Sequence, residues 1–144
     1  MTLSFASLTV LVAMVALTLG QQEGLFITSI EVKTADGFYS SMTLGFIDIE
    51  IINKDVEICR ISHLNSDEND FTQNQINEFD GSDLEECRDF PLPGNEIALL
   101  RLIHSGPDAW TPEWVRVYNN NGTFLECPDG AEIDNSETHD LNCA

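Results

Sequence analysis

Carboxylates are the side chains that could most readily do chemistry in this sequence, since 25 Asp and Glu stand against 6 Lys and Arg. Calcium takes about six to eight oxygen ligands, which carboxylates and backbone carbonyls supply, usually from loops. The densest run of such oxygens on a predicted loop is 67–70, and further aspartates lie in other loops that a β-fold could bring to one end. These residues are the candidate calcium ligands: Asp36, Asp67, Glu68, Asp70, Asp80, Asp83 and Asp108.

A solvated acidic surface is the alternative explanation for the same residues. The sequence contains no EF-hand spacing that would favour calcium. Because acids are so abundant, a pair of neighbouring carboxylates says little about general acid–base catalysis. Calcium is therefore an expectation, with plain solubility as its rival.

Catalytic patterns are absent from the sequence. His63, His104 and His139 are far apart and show no zinc-type spacing. No Gly-x-Ser-x-Gly elbow and no glycine-rich phosphate loop occurs. We interpret His104, at the end of an apolar run, as a structural histidine. We assign no catalytic residue and expect a protein that is not an enzyme.

The first twenty residues are predicted to be a secretory signal peptide. Segment 1–20 carries no charged side chain, and its apolar core at 8–17 is shorter than the roughly 20 residues of a bilayer span. Cleavage would leave a secreted, extracellular single domain over 21–144 that begins at Gln21. An uncleaved anchor or a buried N-terminal helix is the alternative, and no other segment resembles a transmembrane span.

The net charge of −19 restricts the partners. Such a surface repels nucleic acid and anionic lipid head groups, and no basic cluster offsets it. It suits cations, cationic proteins or a mineral surface. One function class is therefore an acidic extracellular-matrix or mineral-associated protein that acts through its charge.

The four cysteines predict two disulfides, because an even count in a secreted chain is typical of a disulfide framework. No CxxC spacing favours a metal site instead. Of the three possible pairings we expect Cys59–Cys87, which clamps the polar loop 65–77, and Cys127–Cys143, which tethers the polar tail. The only N-glycosylation sequon begins at Asn121, in an Asn-rich turn that should be exposed.

Period-2 alternation with β-branched residues predicts short strands separated by turns. Segment 45–53, for example, alternates Phe46, Asp48 and Glu50 with three isoleucines. The tail 128–144 is acidic and turn-like. The expected fold class is all-β, an antiparallel sandwich of about seven or eight strands. The predicted strands are 25–33, 45–53, 56–64, 84–90, 96–104, 110–118 and 123–127.

The order of these features resembles the PLAT domain, a β-sandwich of lipoxygenases, lipases and polycystins. The resemblance covers about 28–128, and its strongest element is Gly106 to Val117 with Trp110, Trp114 and the Trp-Val-x-Val ending. The Leu/Ile-rich strand before it, which ends in His at 99–104, carries most of the remaining weight. Weaker matches are the turn at 32–37, the strand at 46–51, and the aromatic–acidic stretch at 79–83 with 89–90.

The resemblance implies a non-enzymatic binding domain that engages a protein or lipid surface, modulated by calcium. Two departures touch positions that bind calcium in family members: Ser105 replaces an Asp, and 40–43 lacks acidic residues. An exposed aromatic residue can contact the partner in such domains. Trp110, in a Gly-Pro-Asp-Ala loop, is the better candidate of the two tryptophans for that contact, although core packing is favoured for it. A small hydrolase is the third and weakest hypothesis.

Overall fold

The computed structural model describes residues 24–36, 45–64, 71–134 and 136–144. The predicted signal peptide 1–20 and the new N-terminus at Gln21 lie outside these ranges. The candidate calcium ligands Asp67, Glu68 and Asp70 lie outside them as well.

The described residues form two antiparallel four-stranded sheets, which confirms the all-β sandwich. The first sheet has the order β4-β1-β6-β7 and the second has the order β3-β2-β5-β8. The strands are β1 (Ile27–Thr34), β2 (Phe46–Asn53), β3 (Ile58–Ile61), β4 (Ile76–Asp80), β5 (Ile97–Ser105), β6 (Pro112–Asn119), β7 (Phe124–Pro128) and β8 (Thr138–Leu141).

Alternation along the strands creates the core between the sheets. In β2 the side chains of Ile47, Ile49 and Ile51 are fully buried, while Asp48 and Glu50 lie on the outer face. Side chains of successive residues point to opposite faces of a sheet, so one row of isoleucines fills the interior. The alternation seen in the sequence therefore corresponds to the inner and outer faces of β2.

The two ends of the sandwich differ in their connections. At the hairpin end, turns 54–57 and 120–123 join β2 to β3 and β6 to β7. At the opposite end, the crossover end, β1, β3 and β5 end, and the strand that follows each of them, in the other sheet, begins. Segment 81–96 also passes between the sheets, at the hairpin end.

Segment 84–90 is not a strand, so this prediction was wrong. Residues Gly81–Cys87 form a 3-10 helix with a kink at Glu85, whose φ is 48°, and Leu84 and Cys87 are buried on either side of that kink. The kinked backbone cannot pair as a strand. The neighbouring strand is β4, which pairs with β1.

Both expected disulfides are present: Cys59–Cys87 and Cys127–Cys143. The first ties β3 to the end of the 3-10 helix. The second holds the tail, where Ala144 exchanges two backbone hydrogen bonds of 3.0 Å with Glu126 of β7. The tail also contains β8, which pairs with β5 and was not predicted as a strand. The tail thus lines an edge of each sheet.

Candidate functional site

The candidate calcium ligands that the structure describes do not gather at one end. Antiparallel pairing sets Asp80 opposite Ser29, near the start of β1, whereas Asp36 follows the end of that strand. At about 3.3 Å per residue, the intervening strand separates them by roughly 15–20 Å. Asp83, in the 3-10 helix, shares the hairpin end with Asp80, and Asp108 shares the crossover end with Asp36. The expectation of one shared end was therefore wrong.

The aspartates at the crossover end already have partners. Asp36 accepts a hydrogen bond of 2.8 Å from the Gln73 side chain. Asp108 Oδ1 lies 3.8 Å from the Nε2 of His104. Among the described residues, no three His, Cys, Asp or Glu side chains come together in a way that could hold a metal ion. The described carboxylates therefore do not fit a calcium site.

His104 has the structural role that its position in an apolar strand indicates. Its side chain is fully buried at the end of β5. Its Nδ1 lies 3.2 Å from the carbonyl oxygen of Asp134, so the ring links β5 to the segment before β8.

Trp110 cannot make the partner contact, because its side chain has no exposed surface. The indole Nε1 donates a hydrogen bond of 3.2 Å to Thr34 Oγ1, and the ring centroid lies 5.0 Å from that of Phe71. Core packing, the favoured interpretation, is thus right, and the assignment of Trp110 as a contact residue is corrected. The apolar burial of a large ring and a satisfied N–H explain this position.

Trp114 is covered in a different way, on the outer face of the first sheet. The guanidinium of Arg116 lies 4.0 Å from the centre of its ring, which is a cation–π distance. Arg116 Nε also donates to Glu126 Oε2 at 2.7 Å, and this hydrogen bond raises the pKa of Arg116. Trp114 is thus covered by Arg116, whereas Phe124 on the same face remains 43% exposed.

The outer face of the second sheet carries a row of paired charges. Arg60 and Arg101 flank Glu50 at 3.3 and 3.6 Å, and Arg101 Nε lies 2.7 Å from Asp140 Oδ1. The hydrogen bond from Arg101 lowers the pKa of Asp140. In a chain of net charge −19, this row is a local region of balanced charge.

The most exposed large apolar side chains of the described chain stand beside that row, on the β2–β3 hairpin. Val56 is 76% exposed and Ile58 is 59% exposed. On the outer face Ile52 pairs in register with both Ile58 and Leu99, and it forms an apolar row across three strands. We name Val56, Ile58, Ile52 and Leu99 the hairpin patch.

A buried asparagine builds the hairpin that carries this patch. Asn53 Oδ1 accepts from the backbone N–H groups of Asp55 and Glu57, both at 3.0 Å. Its Nδ2 donates to Glu57 Oε2 at 2.8 Å and to the Pro91 carbonyl at 3.1 Å. The Val56 N–H donates to the Asn53 carbonyl at 3.0 Å. All four hydrogen-bonding positions of the amide are occupied, so the turn is firmly fixed.

Sequence reasoning placed Val56 at the start of a strand, whereas the structure places it in the turn with a φ of 64°. This is the left-handed region, where a β-branched residue is a genuine outlier. The one available signal was the alternation of 56–64, which set Val56 and Ile58 on the face away from Cys59. That signal located the patch but not its backbone conformation.

Asn121 lies at the tip of the other hairpin and is exposed, as the sequon prediction requires. Its glycosylation stays a prediction. None of the helices in the described part of the chain is long and apolar enough to cross a bilayer.

Comparison with solved structures identifies the fold. The chain is similar to the alpha toxin from Clostridium absonum, with a TM-score of 0.64 and 23% identity over 83% of this chain. The Clostridium perfringens alpha-toxin has a TM-score of 0.60 and 18% identity over 83% of this chain. A lipoxygenase has a TM-score of 0.63 and 16% identity over 82% of this chain.

The chain spans 32% of either toxin and 16% of the lipoxygenase, so the likeness concerns one part of each enzyme. No protein-family model and no curated protein sequence matches it. The matched parts are the PLAT or C2-like domains of these proteins. The chain therefore has the β-sandwich fold of PLAT domains, as the sequence resemblance predicts.

Proposed function

We propose that this chain is a secreted, non-catalytic binding domain that attaches to a protein or lipid surface outside the cell. The observation that carries the proposal is the PLAT-type sandwich, which is the part that the chain shares with much longer enzymes. By resemblance, such domains bring enzymes to surfaces. The corresponding role here is binding, with no bond made or broken by the chain itself.

Surface chemistry at the hairpin end supports a binding role. Val56 is exposed in a turn that Asn53 fixes, and Ile58 is exposed two residues later, at the start of β3. A large apolar side chain in water stabilises nothing until a partner covers it. Secretion is supported by the two disulfides, because such bonds persist in oxidising compartments.

Vesicle sedimentation tests the surface-binding role. The purified mature chain is mixed with phosphatidylcholine vesicles, with vesicles that also contain phosphatidylserine, and with an immobilised cationic protein. Each mixture is measured with calcium and with EDTA. Saturable binding to one surface is expected, and the comparison with EDTA measures any contribution of calcium. Hydrolysis of lipid or peptide by the purified chain would contradict a purely binding role.

An acidic matrix or mineral-associated protein is the second candidate, and the net charge of −19 favours it. Calcium calorimetry separates the two candidates. One or two ordered calcium sites support a binding domain that calcium modulates, whereas many weak sites without saturation support the charge-based role. If calorimetry detects no heat of calcium binding, calcium has no role in either candidate function.

A further inference from the structure

We propose that the hairpin patch is a docking surface for a basic protein, whose apolar side chains cover Val56 and Ile58 and whose Lys or Arg side chains face Asp55 and Glu57. This inference rests on the proposed binding function and names its surface and partner class. It concerns the hairpin end, away from the crossover end where Asp36 and Asp108 lie.

The two hairpins of the sandwich provide an internal comparison for Val56. In each, an asparagine ends the first strand, and its carbonyl accepts the N–H of the third residue after it. The residue at that third position is Val56 in one hairpin and Gly122 in the other, at φ values of 64° and 76°. Glycine and asparagine adopt this conformation with little strain, whereas valine is strained there. The chain therefore keeps a strained residue where an unstrained one would serve the turn.

Folding does not explain the valine, because its side chain is 76% exposed and lies outside the core cluster. Backbone strain that the surrounding structure enforces is concentrated at functional positions. The four hydrogen bonds of Asn53 enforce it here. A turn that is already ordered loses little conformational entropy on binding, so the exposed side chain is presented at low cost.

The surroundings of the patch have the composition of a protein interface. Ile58, Ile52 and Leu99 continue the apolar area along one row of the sheet. Beside this row lie Arg60 and Arg101, whose charges are already paired with carboxylates. An apolar centre with a polar rim is the usual anatomy of such a surface.

Charge selects the class of partner. Asp55 and Glu57 are exposed on either side of Val56. With the exposed Lys54 the turn carries a net −1 (two acids and one lysine), while the chain as a whole carries −19. Anionic lipid is repelled by both, while Lys and Arg side chains on a protein are attracted and oriented. A basic protein therefore fits better than an anionic membrane, and neutral lipid remains as an outcome of the test.

A pair of short peptides tests the inference. In one, lysine alternates with leucine; in the other, of equal length and charge, lysine alternates with serine. Fluorescence anisotropy at physiological salt should give wild-type protein about tenfold tighter binding to the leucine peptide, since apolar area is covered. The double variant Val56→Asn with Ile58→Gln, which creates no N-glycosylation sequon, should bind both peptides equally. Its turn is relieved of strain, so its melting temperature should not fall.

Ile76→Gln is the matched control, because Ile76 is 50% exposed but lies in β4 of the other sheet. It should keep the tenfold preference. Loss of the preference in this control, or equal binding of both peptides to wild type, would overturn the inference, as would patch-dependent binding to phosphatidylcholine vesicles alone. If the wild type and the patch variant bind vesicles or peptides equally, the result supports the proposed function and contradicts this docking surface. If the wild type binds neither vesicles nor peptides, the result contradicts both.

Discussion

The β2–β3 and β6–β7 hairpins are built on the same plan, and one position separates them. Asn53 and Asn119 each end a strand, and each is almost fully buried. Each accepts two backbone N–H groups with its side-chain oxygen, from the second and the fourth residue after it. The left-handed position then holds Val56 in one hairpin and Gly122 in the other.

The difference shows that the asparagine, not the left-handed residue, determines this turn. Glycine at that position agrees with the backbone, whereas valine is tolerated because the amide of Asn53 fixes both flanks. The next apolar side chain differs too. Phe124 lies 4.8 Å under Arg116 and 5.2 Å from the Tyr118 ring, while Ile58 stands 59% exposed. Phe124 is partly covered by these contacts and is 43% exposed, so the difference between the hairpins is one of degree: the β2–β3 hairpin presents more apolar surface.

Removing the shared asparagine should have the largest effect. Asn53→Ala and Asn119→Ala each strip four hydrogen bonds from a buried turn, so each should lower the free energy of unfolding by roughly 2–4 kcal/mol. Urea denaturation followed by tryptophan fluorescence measures this. A loss below about 1 kcal/mol in either variant would show that the turn forms without its asparagine.

Aspartate in place of each asparagine provides a sharper contrast. Asn53 Nδ2 donates to the Glu57 carboxylate, so Asn53→Asp sets two carboxylates against each other. Asn119 Nδ2 instead donates to the Thr123 hydroxyl, which can turn and donate to a carboxylate. Asn53→Asp should therefore be the more destabilising change, and the reverse order would contradict this account.

Gly122→Val places a valine at the left-handed position of the β6–β7 hairpin, as in the β2–β3 hairpin. No atom lies within 4 Å of a Cβ added at Gly122, so the cost is that of the backbone alone, about 1–2 kcal/mol. Gly122→Asn controls for the loss of glycine and should be nearly neutral, since asparagine tolerates this conformation. Equal losses in both variants would place the cost in something other than the left-handed backbone.

The parts of this fold that could be predicted depend on local pattern. Alternation in 45–53 identified β2 and its buried isoleucines, and the polar character of the flanked segments identified both cysteine pairs. Strand β8 escaped prediction because Thr138–Leu141 has little apolar content and forms against β5. Segment 84–90 was wrongly predicted as a strand because it is short and its left-handed kink at Glu85 leaves no regular period in the sequence.

The site depends on information that the sequence does not carry locally. The separation of Asp36 from Asp80 follows from the register of β4 on β1, which loop composition cannot reveal. The burial of Trp110 follows from its packing on Phe71 and its hydrogen bond to Thr34. Both of these partners are far from Trp110 in the sequence. A left-handed valine contradicts every local propensity, and only the surrounding hydrogen bonds of Asn53 make it tolerable.

Val56→Asn should stabilise the protein, whereas Gly122→Val should destabilise it. Relief of the left-handed strain should raise the free energy of unfolding by about 1 kcal/mol, which raises the melting temperature by a few degrees. Val56→Gly should gain less, because glycine loses more backbone entropy on folding. Calorimetry of the three proteins measures the order. A valine that proves more stable than both replacements would show that it packs usefully in the turn.

The smallest expected effect concerns the residue that precedes each asparagine. Tyr118, before Asn119, donates its hydroxyl to Glu31 Oε2 at 2.8 Å, and this hydrogen bond raises the pKa of Tyr118. Ile52 holds the corresponding place before Asn53 and has no hydroxyl. Because the raised pKa favours the neutral phenol in the folded state, its contribution to stability is complete below the ordinary pKa of about 10 and is lost as pH rises through the folded value.

Tyr39→Phe leaves Tyr118 as the single tyrosine, so ultraviolet titration should find one alkaline transition above that of a model phenol. Glu31→Gln should move the transition back toward the ordinary value. If the alkaline transition of Tyr118 is unchanged in Glu31→Gln, the raised pKa would be assigned to burial. The hydrogen bond to Glu31 would then not contribute to the stability of the β6–β7 hairpin.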